Sequence, residues 1–420
     1  MAAQLDADEA EYYHISGQIL EGSYRAHPRR VIGFPVVLAG MQAVVGSSYM
    51  RVQALVTCLF GMTAPLLYLL VRRELGSEWA ARLAGLLAAC WPPFVWYGGT
   101  LYSEALALPL LVVLLLVTPP RDPVGPPGRL PWGRWLAAGV ILGLCMHNRP
   151  MYLLYAPIAA ARALWNGGRP RRGVVALGLL TAGCLAVVLP WSVHQTLRFG
   201  KPILLCDQGG ETLAGGLNPR MLKLAGQEPS YIRTAEGREA PLVAGKWFGP
   251  AETGYLSIDE LRLPYAVQSD LLTRRTVAWV RAHPDGALKL SALKLLYMWG
   301  IYPFWNGRMQ TFLGNIPTAV LLVLGTAGLV RLRRFGPELA SFWTLILFSS
   351  GAALVSWGSW RFRQPGDLGV IALAAALPFA SDITRTLAGR RVDLPPKAAT
   401  PSPSPTCEFA AKDFVQKKGW

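Results

Sequence analysis

The sequence predicts an all-α polytopic membrane protein, a multi-spanning helical domain with long extracytoplasmic loops, and three observations predict it. Of its 420 residues, 52% are hydrophobic and only 16% charged, and the mean hydropathy is +0.31, a balance foreign to a water-solvated globular domain. The apolar residues fall in runs close to the ~20 residues that a helix needs to cross a bilayer. Lys and Arg gather in short segments beside those runs, as cytoplasmic loops do.

Composition also excludes several function classes. A formal net charge of +16 would point to nucleic acid in a soluble protein. Here the basic residues flank apolar runs, where they set orientation and meet anionic membrane lipids, so no nucleic-acid partner is expected. Cys58, Cys90, Cys145 and Cys184 lie in apolar runs, Cys206 in a loop and Cys407 in the tail. No CxxC pair or nearby His gives them zinc-ligand spacing, and no disulfide framework is indicated. HExxH, GxSxG and Walker A motifs are absent, and the glycines near Gly209 do not form GxGxxG after a strand. The Ala, Gly, Arg and Pro bias fits a GC-rich bacterial genome, and the expected location is the inner (plasma) membrane, as a multi-pass protein.

Element by element, residues 1–50 read as an extracytoplasmic acidic loop with interfacial helices. Asp6, Asp8, Glu9 and Glu11 crowd its start, ahead of the apolar stretch 31–45. Residues 51–191 hold transmembrane helices at 52–71, 79–97, 105–118 and 174–190, with two short spans, 135–148 and 151–165, turning around HNRP. Residues 192–310 form an extracytoplasmic loop. It ends in GALKLSALKLLYMWGIYPFW, read as a helix in the outer interface with Lys289 and Lys294 at headgroup depth. Residues 311–385 carry the C-terminal spans 312–330, 339–357 and 368–379, and the Pro/Ser-rich tail 386–420 reads as cytoplasmic and disordered.

The charge rule then sorts the loops. Arg72, Arg73, the segment RDPVGPPGRLPWGR, the RPRR at 169–172 and the RLRR at 331–334 share the cytoplasmic face. The acidic N-terminus, WYGGTLYSE, HNRP, the long loop and SWRFRQPGD share the opposite face, the periplasm or cell exterior. The chain thus begins outside without a signal core in its first 30 residues, which predicts a further span upstream of Asp8.

The outer face carries the candidate chemistry. Asp6 as a helix cap with Glu9 three residues later is a capping box, and acids favour the positive end of a helix. That accounts for one or two of the acids. A cluster just before an interfacial element also fits a partly desolvated base. Glu104 stands at the lip of an uncharged span, either as a helix N-terminal acid or as a functional group. Arg149, a lone cation between short apolar runs, reads as snorkelling or as the partner of a phosphate or acid. Arg361 and Arg363 stand at the outer end of the last hairpin, where a guanidinium fork suits phosphate oxygens.

In order along the chain, DEAEYYHISGQILEG, HPRRVIGFPVVLAG, YLLVRRELGSEWAARLAGLLAACWPPFVWYGGTLYSEALALPLL, HNRPMYLLYAPIAA, LPWSVHQTLRFGKPILL…GGETLAGGLNP, RAHPDGALKLSALKL and WRFRQPGDLGVIALAAALP resemble the protein-mannosyltransferase-like superfamily of GT-C glycosyltransferases. That superfamily includes protein O-mannosyltransferases and the aminoarabinose and related sugar transferases that use polyprenyl-phosphate donors. The resemblance implies a GT-C-type helical fold whose first extracytoplasmic loop carries the catalytic acid, matched by Asp8 of the Asp8–Glu9 pair. It implies a second outer acid at Glu104, a basic residue at Arg149, and a terminal Arg-aromatic-Arg element at Arg361 and Arg363. The chain departs from the pattern where the helix preceding Asp8 is missing and where HPRRVIGFP replaces a Pro-rich turn.

The expected function is a membrane glycosyltransferase, hexosyl- or pentosyltransferase in type. It would move a sugar from a polyprenyl-phosphate-linked donor to an extracytoplasmic acceptor, a glycan, lipid or protein, by inverting displacement. Asp8, with Glu9 beside it as a further catalytic candidate, would take the acceptor proton, Glu104 would orient acceptor or donor hydroxyls or help hold a divalent cation, and Arg149, Arg361 and Arg363 would hold the donor phosphate. No cofactor is required by the sequence, and a divalent metal at Glu104 is left open. A polytopic transporter or lipid-sugar flippase, and an inactive membrane scaffold of the same fold, are the rival readings.

Overall fold

The computed structural model describes residues 7–120, 131–167, 170–225, 231–233, 239–241, 249–300, 315–356 and 358–392. Asp6, the Pro-rich segment around Pro126, Arg169, stretches 226–230, 234–238, 242–248 and 301–310 of the long loop and the tail beyond 392 lie outside the described residues.

Helix α1 (Ala7–Leu20) places Asp8 and Glu9 in its first turn, at the positive end of its dipole. It packs on α2 (Gly33–Val45) through Tyr12, whose ring meets Phe34 edge-on at 5.4 Å. The amide of Gln42 donates to Ser16 Oγ at 3.0 Å beside that contact.

Helices α3 (Tyr49–Gly61) and α4 (Thr63–Leu75) join at Met62 into one 27-residue membrane-length element. It stops at Gly76, where φ is 67° and the backbone N–H returns to Arg72 O at 3.0 Å. A left-handed residue is nearly free of strain only when it is glycine, so this sequence ends the helix there. Helix α5 (Glu78–Cys90) follows, capped by Ser77 Oγ. Pro92 forces Trp91 to ψ 116° and splits the predicted span 79–97 into α5 and α6 (Pro92–Gly98).

Helices α7 (Glu104–Val117), α8 (Trp132–Asn148), α9 (Ala156–Asn166) and α10 (Pro170–Phe199) come next. Helix α10 runs past the expected end at 190 and is the second membrane-length helix. Beyond it, α11 (Gly209–Gly216), α12 (Pro219–Ala225), α13 (Tyr265–Ala282) and α14 (Pro284–Met298) form a further helical layer, and β1 (Tyr231–Arg233) and β2 (Glu239–Pro241) pair as a two-stranded antiparallel hairpin. Leu217, Met221, Trp279, Ala287 and Leu290 give this layer a small core of its own.

Helices α15 (Ile316–Arg331) and α16 (Ala340–Val355) lead to α17 (Trp360–Ala376). Helix α17 is buried from Phe362 to Ala376 and continues through α18 (Ala380–Val392) as the third membrane-length element. The fold is thus an all-α membrane bundle, the short hairpin apart.

Two expectations change here. The segment WRFRQPGD is not an outer loop preceding a span at 368: Ser359 Oγ accepts from Arg361 N at 3.2 Å and starts the helix at Trp360. Lys294 does not snorkel to headgroups. It is fully buried and its Nζ donates to Leu354 O at 3.0 Å and Ser356 O at 2.9 Å, closing the C-terminal end of α16.

Candidate active site

Four local devices converge on one spot. The first turn of α1 supplies Asp8, and α7 opens with Glu104. Pro150 holds Arg149 extended, at φ −146° and ψ 116°, which ends α8 and turns that arginine out of the helix. Asn148 beside it donates to Ser103 O at 2.7 Å, so the end of α8 is locked against the start of α7. The Ser359 cap places Arg361 in the first turn of α17.

The result is a chain of alternating charges. Asp8 Oδ2 accepts from Arg361 Nη1 at 2.6 Å, and Asp8 Oδ1 from Arg30 Nη2 at 2.7 Å. Arg361 also forks onto Glu104, with Nε on Oε1 and Nη2 on Oε2. Arg149 Nη1 reaches the same Glu104 Oε1. Aromatic faces support both cations: Arg361 lies 3.9 Å from the ring centre of Tyr102 and Arg149 5.1 Å from that of Phe362.

Side-chain exposure falls from 30% at Asp8 through 17% at Arg361 to 2% at Glu104. The site therefore runs from a wet acid to a dry one. A small cleft lies at its inner end, lined by Glu104, Arg149 and Arg361 with Leu108, Met151, Tyr152 and Pro365. Burial pushes the Asp8 carboxyl up, but the guanidiniums of Arg361 and Arg30 outweigh it and hold its pKa at about 2.

Two candidate residues fall elsewhere. Glu9 is 7% exposed, and its Oε1 accepts from Leu101 N at 2.7 Å. It ties α1 to the turn that precedes Glu104 and is not among the residues that line the cleft. Arg363 is fully buried. Its Nε pairs with Asp367 Oδ1 at 2.8 Å and its Nη1 donates to Met298 O at 3.0 Å, while Trp91 Nε1 holds the other Asp367 oxygen at 2.9 Å. A guanidinium so placed does not reach the cleft, which leaves Arg149 and Arg361 as its cations.

The sequence reading missed Arg30, which bridges Asp8 and Glu11. It also missed Arg29, which forks onto Glu211 at 3.0 and 3.1 Å, where Tyr265 Oη donates at 2.5 Å. A signal was present: Arg29 and Arg30 form a basic pair on the acid-bearing face, where the positive-inside rule gives no reason for one.

Glu104 is a poor cation ligand, because two guanidiniums already occupy its oxygens. Among the described residues, no three His, Cys, Asp or Glu side chains gather as a metal site. The residues do not fit the divalent metal left open above.

No protein-family model and no curated protein matches the chain. Among solved structures it is similar to the archaeal oligosaccharyltransferase AglB from Archaeoglobus fulgidus, in complex with an inhibitory peptide and a dolichol-phosphate. That likeness has 14% identity over 98% of this chain and 50% of that one, with a TM-score of 0.49. The same archaeal enzyme with Zn and sulfate gives 17% identity over 91% of this chain and 46% of that one, with a TM-score of 0.45. ArnT from Cupriavidus metallidurans, bound to undecaprenyl phosphate, gives 16% identity over 94% of this chain and 77% of that one, with a TM-score of 0.40. The chain spans about half the length of the archaeal chains it matches. With every TM-score below 0.5, these likenesses decide nothing about its chemistry.

Proposed function

We propose that the protein is a membrane glycosyltransferase that moves one sugar, a hexose or pentose, from a polyprenyl-phosphate donor to an acceptor hydroxyl outside the cytoplasm, in a single inverting displacement. The observation that carries this reading is Arg361, which joins Asp8 and Glu104 across 353 and 257 residues of sequence. The part-exposed Asp8, the Arg361 guanidinium and the buried Glu104–Arg149 pair follow one another, so an acceptor hydroxyl approaching Asp8 would meet a donor phosphate held by the arginines. The ordered motifs from Asp8 to the Arg361 region support the same assignment.

The acceptor oxygen attacks the anomeric carbon while the bond from that carbon to the phosphate oxygen breaks, its electrons going to the phosphate. Asp8 takes the acceptor proton. The products are the glycoside with inverted configuration, polyprenyl phosphate and a protonated Asp8. Because the leaving group is an acidic phosphate, it needs charge stabilisation and not a general acid, and Arg149 and Arg361 supply it. Glu104 preorganises both guanidiniums so that they need no rearrangement when charge develops.

A transporter would place its ionisable groups near mid-bilayer on broken helices. The deeper pair here, Arg363 with Asp367, is sealed by packing. A radiolabelled polyprenyl-phosphate sugar presented to membranes separates the readings. Label recovered on an acceptor hydroxyl supports transfer, label that only changes leaflet supports a flippase, and label that stays put in both respects supports a scaffold.

A further inference from the structure

Building on that reading, we infer that donor binding unmasks the base: Arg361 is exchanged from Asp8 to the donor phosphate, and Arg30 is the positioning residue that keeps Asp8 aimed after the exchange. The geometry divides the two carboxylate oxygens between these cations. Oδ2 is covered by Arg361 Nη1 and Oδ1 by Arg30 Nη2. An oxygen that accepts from a guanidinium is a weak proton acceptor, so the acid as it stands is held out of use.

The two arginines are not equally free to leave. Arg361 has a fixed edge and an exchangeable one. Nε and Nη2 grip Glu104, which is buried and also held by Arg149, whereas Nη1 reaches the wetter Asp8. A phosphate oxygen that arrives on the Asp8 side of Arg361 competes for Nη1 without disturbing the Nε and Nη2 contacts to Glu104. Arg30 has no such competitor, being tied by Nε and Nη2 to Glu11 at 3.1 and 2.7 Å and lying 5.4 Å from the ring centre of Tyr12. The next residue, Arg29, is fixed on Glu211 and Tyr265.

Among the described residues, the charged groups around Asp8 are Glu9 and Glu11 on its own helix, Arg29 and Arg30 from the segment before α2, Arg361 on α17 and, behind it, Glu104 on α7. Only Arg361 changes partner. Once it does, burial acts on Asp8 against one guanidinium instead of two, and the carboxylate becomes a stronger base just when the donor is in place. Donor would bind before acceptor, and without donor the base is masked.

The test uses the full chain in lipid nanodiscs with undecaprenyl phosphate as the probe. A hydrophobic carbodiimide labels protonated carboxyls, and mass spectrometry of the Asp8 peptide gives the rate. At about pH 5, saturating undecaprenyl phosphate should speed Asp8 labelling about tenfold or more, the equivalent of one pKa unit. Arg361→Gln should label fast without the lipid and gain nothing from it. Arg30→Gln should move the acid limb of the kcat profile to higher pH and lower kcat, with donor KM within about twofold, and Arg30→Lys should restore the limb.

Lipid binding without faster labelling would overturn the exchange and leave the proposed transferase standing. Absence of lipid binding would overturn both. An unmoved acid limb in Arg30→Gln would remove Arg30 from the scheme.

Discussion

Arg363 lies two positions after Arg361, and on an α-helix that is about 200° of turn. The first therefore meets Asp8 and Glu104 while the second meets Asp367 and Met298 O. Their substitutions should fail differently. Arg361→Lys keeps a charge but not the fork, so donor KM should rise about tenfold at unchanged abundance. Arg363→Met strands Asp367 in the interior, which costs about 3–5 kcal/mol when a buried ion pair loses one partner. Melting temperature should fall while donor KM in the surviving folded fraction stays put.

Asp8 makes a pH-dependent contribution with a definite sign. Its native pKa of about 2 lies below the ~3.9 of an unfolded aspartate. Its ion pairs thus add stability in full above about pH 4 and lose it as pH falls toward about 2. Stability curves of wild type and Asp8→Asn, taken from neutral pH downward, should differ near neutrality and converge at the acid end. A constant gap would mean that Asp8 is not held by those cations.

At the scale of elements, the site depends on how closely α8 and α10 approach. Gly139 on α8 and Gly183 on α10 leave no room for a Cβ, which would meet Leu180 O and Leu136 O respectively. Small residues let membrane helices pack backbone to backbone. Gly139→Ala should cost about 1–3 kcal/mol by overpacking and shift Arg149 at the far end of α8, raising donor KM. Gly133→Ala, on the same helix with open space around it, should do neither. Melting curves and donor titrations of the two variants read this directly.

Element positions were largely legible in the sequence because length and apolarity are one-dimensional properties. The break at Trp91 follows from Pro92, and α17 began earlier than hydropathy placed it because charge inside a helix looks like loop. Arg363 and Asp367 are four residues apart and pair along the helix, which lets α17 bury both.

Across the whole molecule, Asp8, Glu104, Arg149 and Arg361 were visible because each is an ionisable group at the edge of an apolar run, where it needs a partner. Direction was not visible. Adjacency put Glu9 with Asp8 and Arg363 with Arg361, although neighbouring helical positions point apart. Arg29, Glu211 and Tyr265 come together only through the packing of α11 and α13 beside the segment before α2, a contact across 182 residues that no local pattern encodes. Topology carries its own test. Ile258→Cys, exposed in the segment before α13, should react with an impermeant thiol reagent from outside intact cells, and Pro337→Cys, beside the RLRR cluster, should not.

The decisive measurement is the rate at which membranes containing wild type or Asp8→Asn, at matched abundance, transfer labelled sugar from a polyprenyl phosphate. Asparagine keeps the size of the side chain and removes the proton acceptor. A loss of about 10²–10⁴-fold, the usual worth of a general base, with inverted configuration in the wild-type product, is the expected result. Transfer by Asp8→Asn at the wild-type rate, or retained configuration, would contradict an inverting transferase with Asp8 as its base.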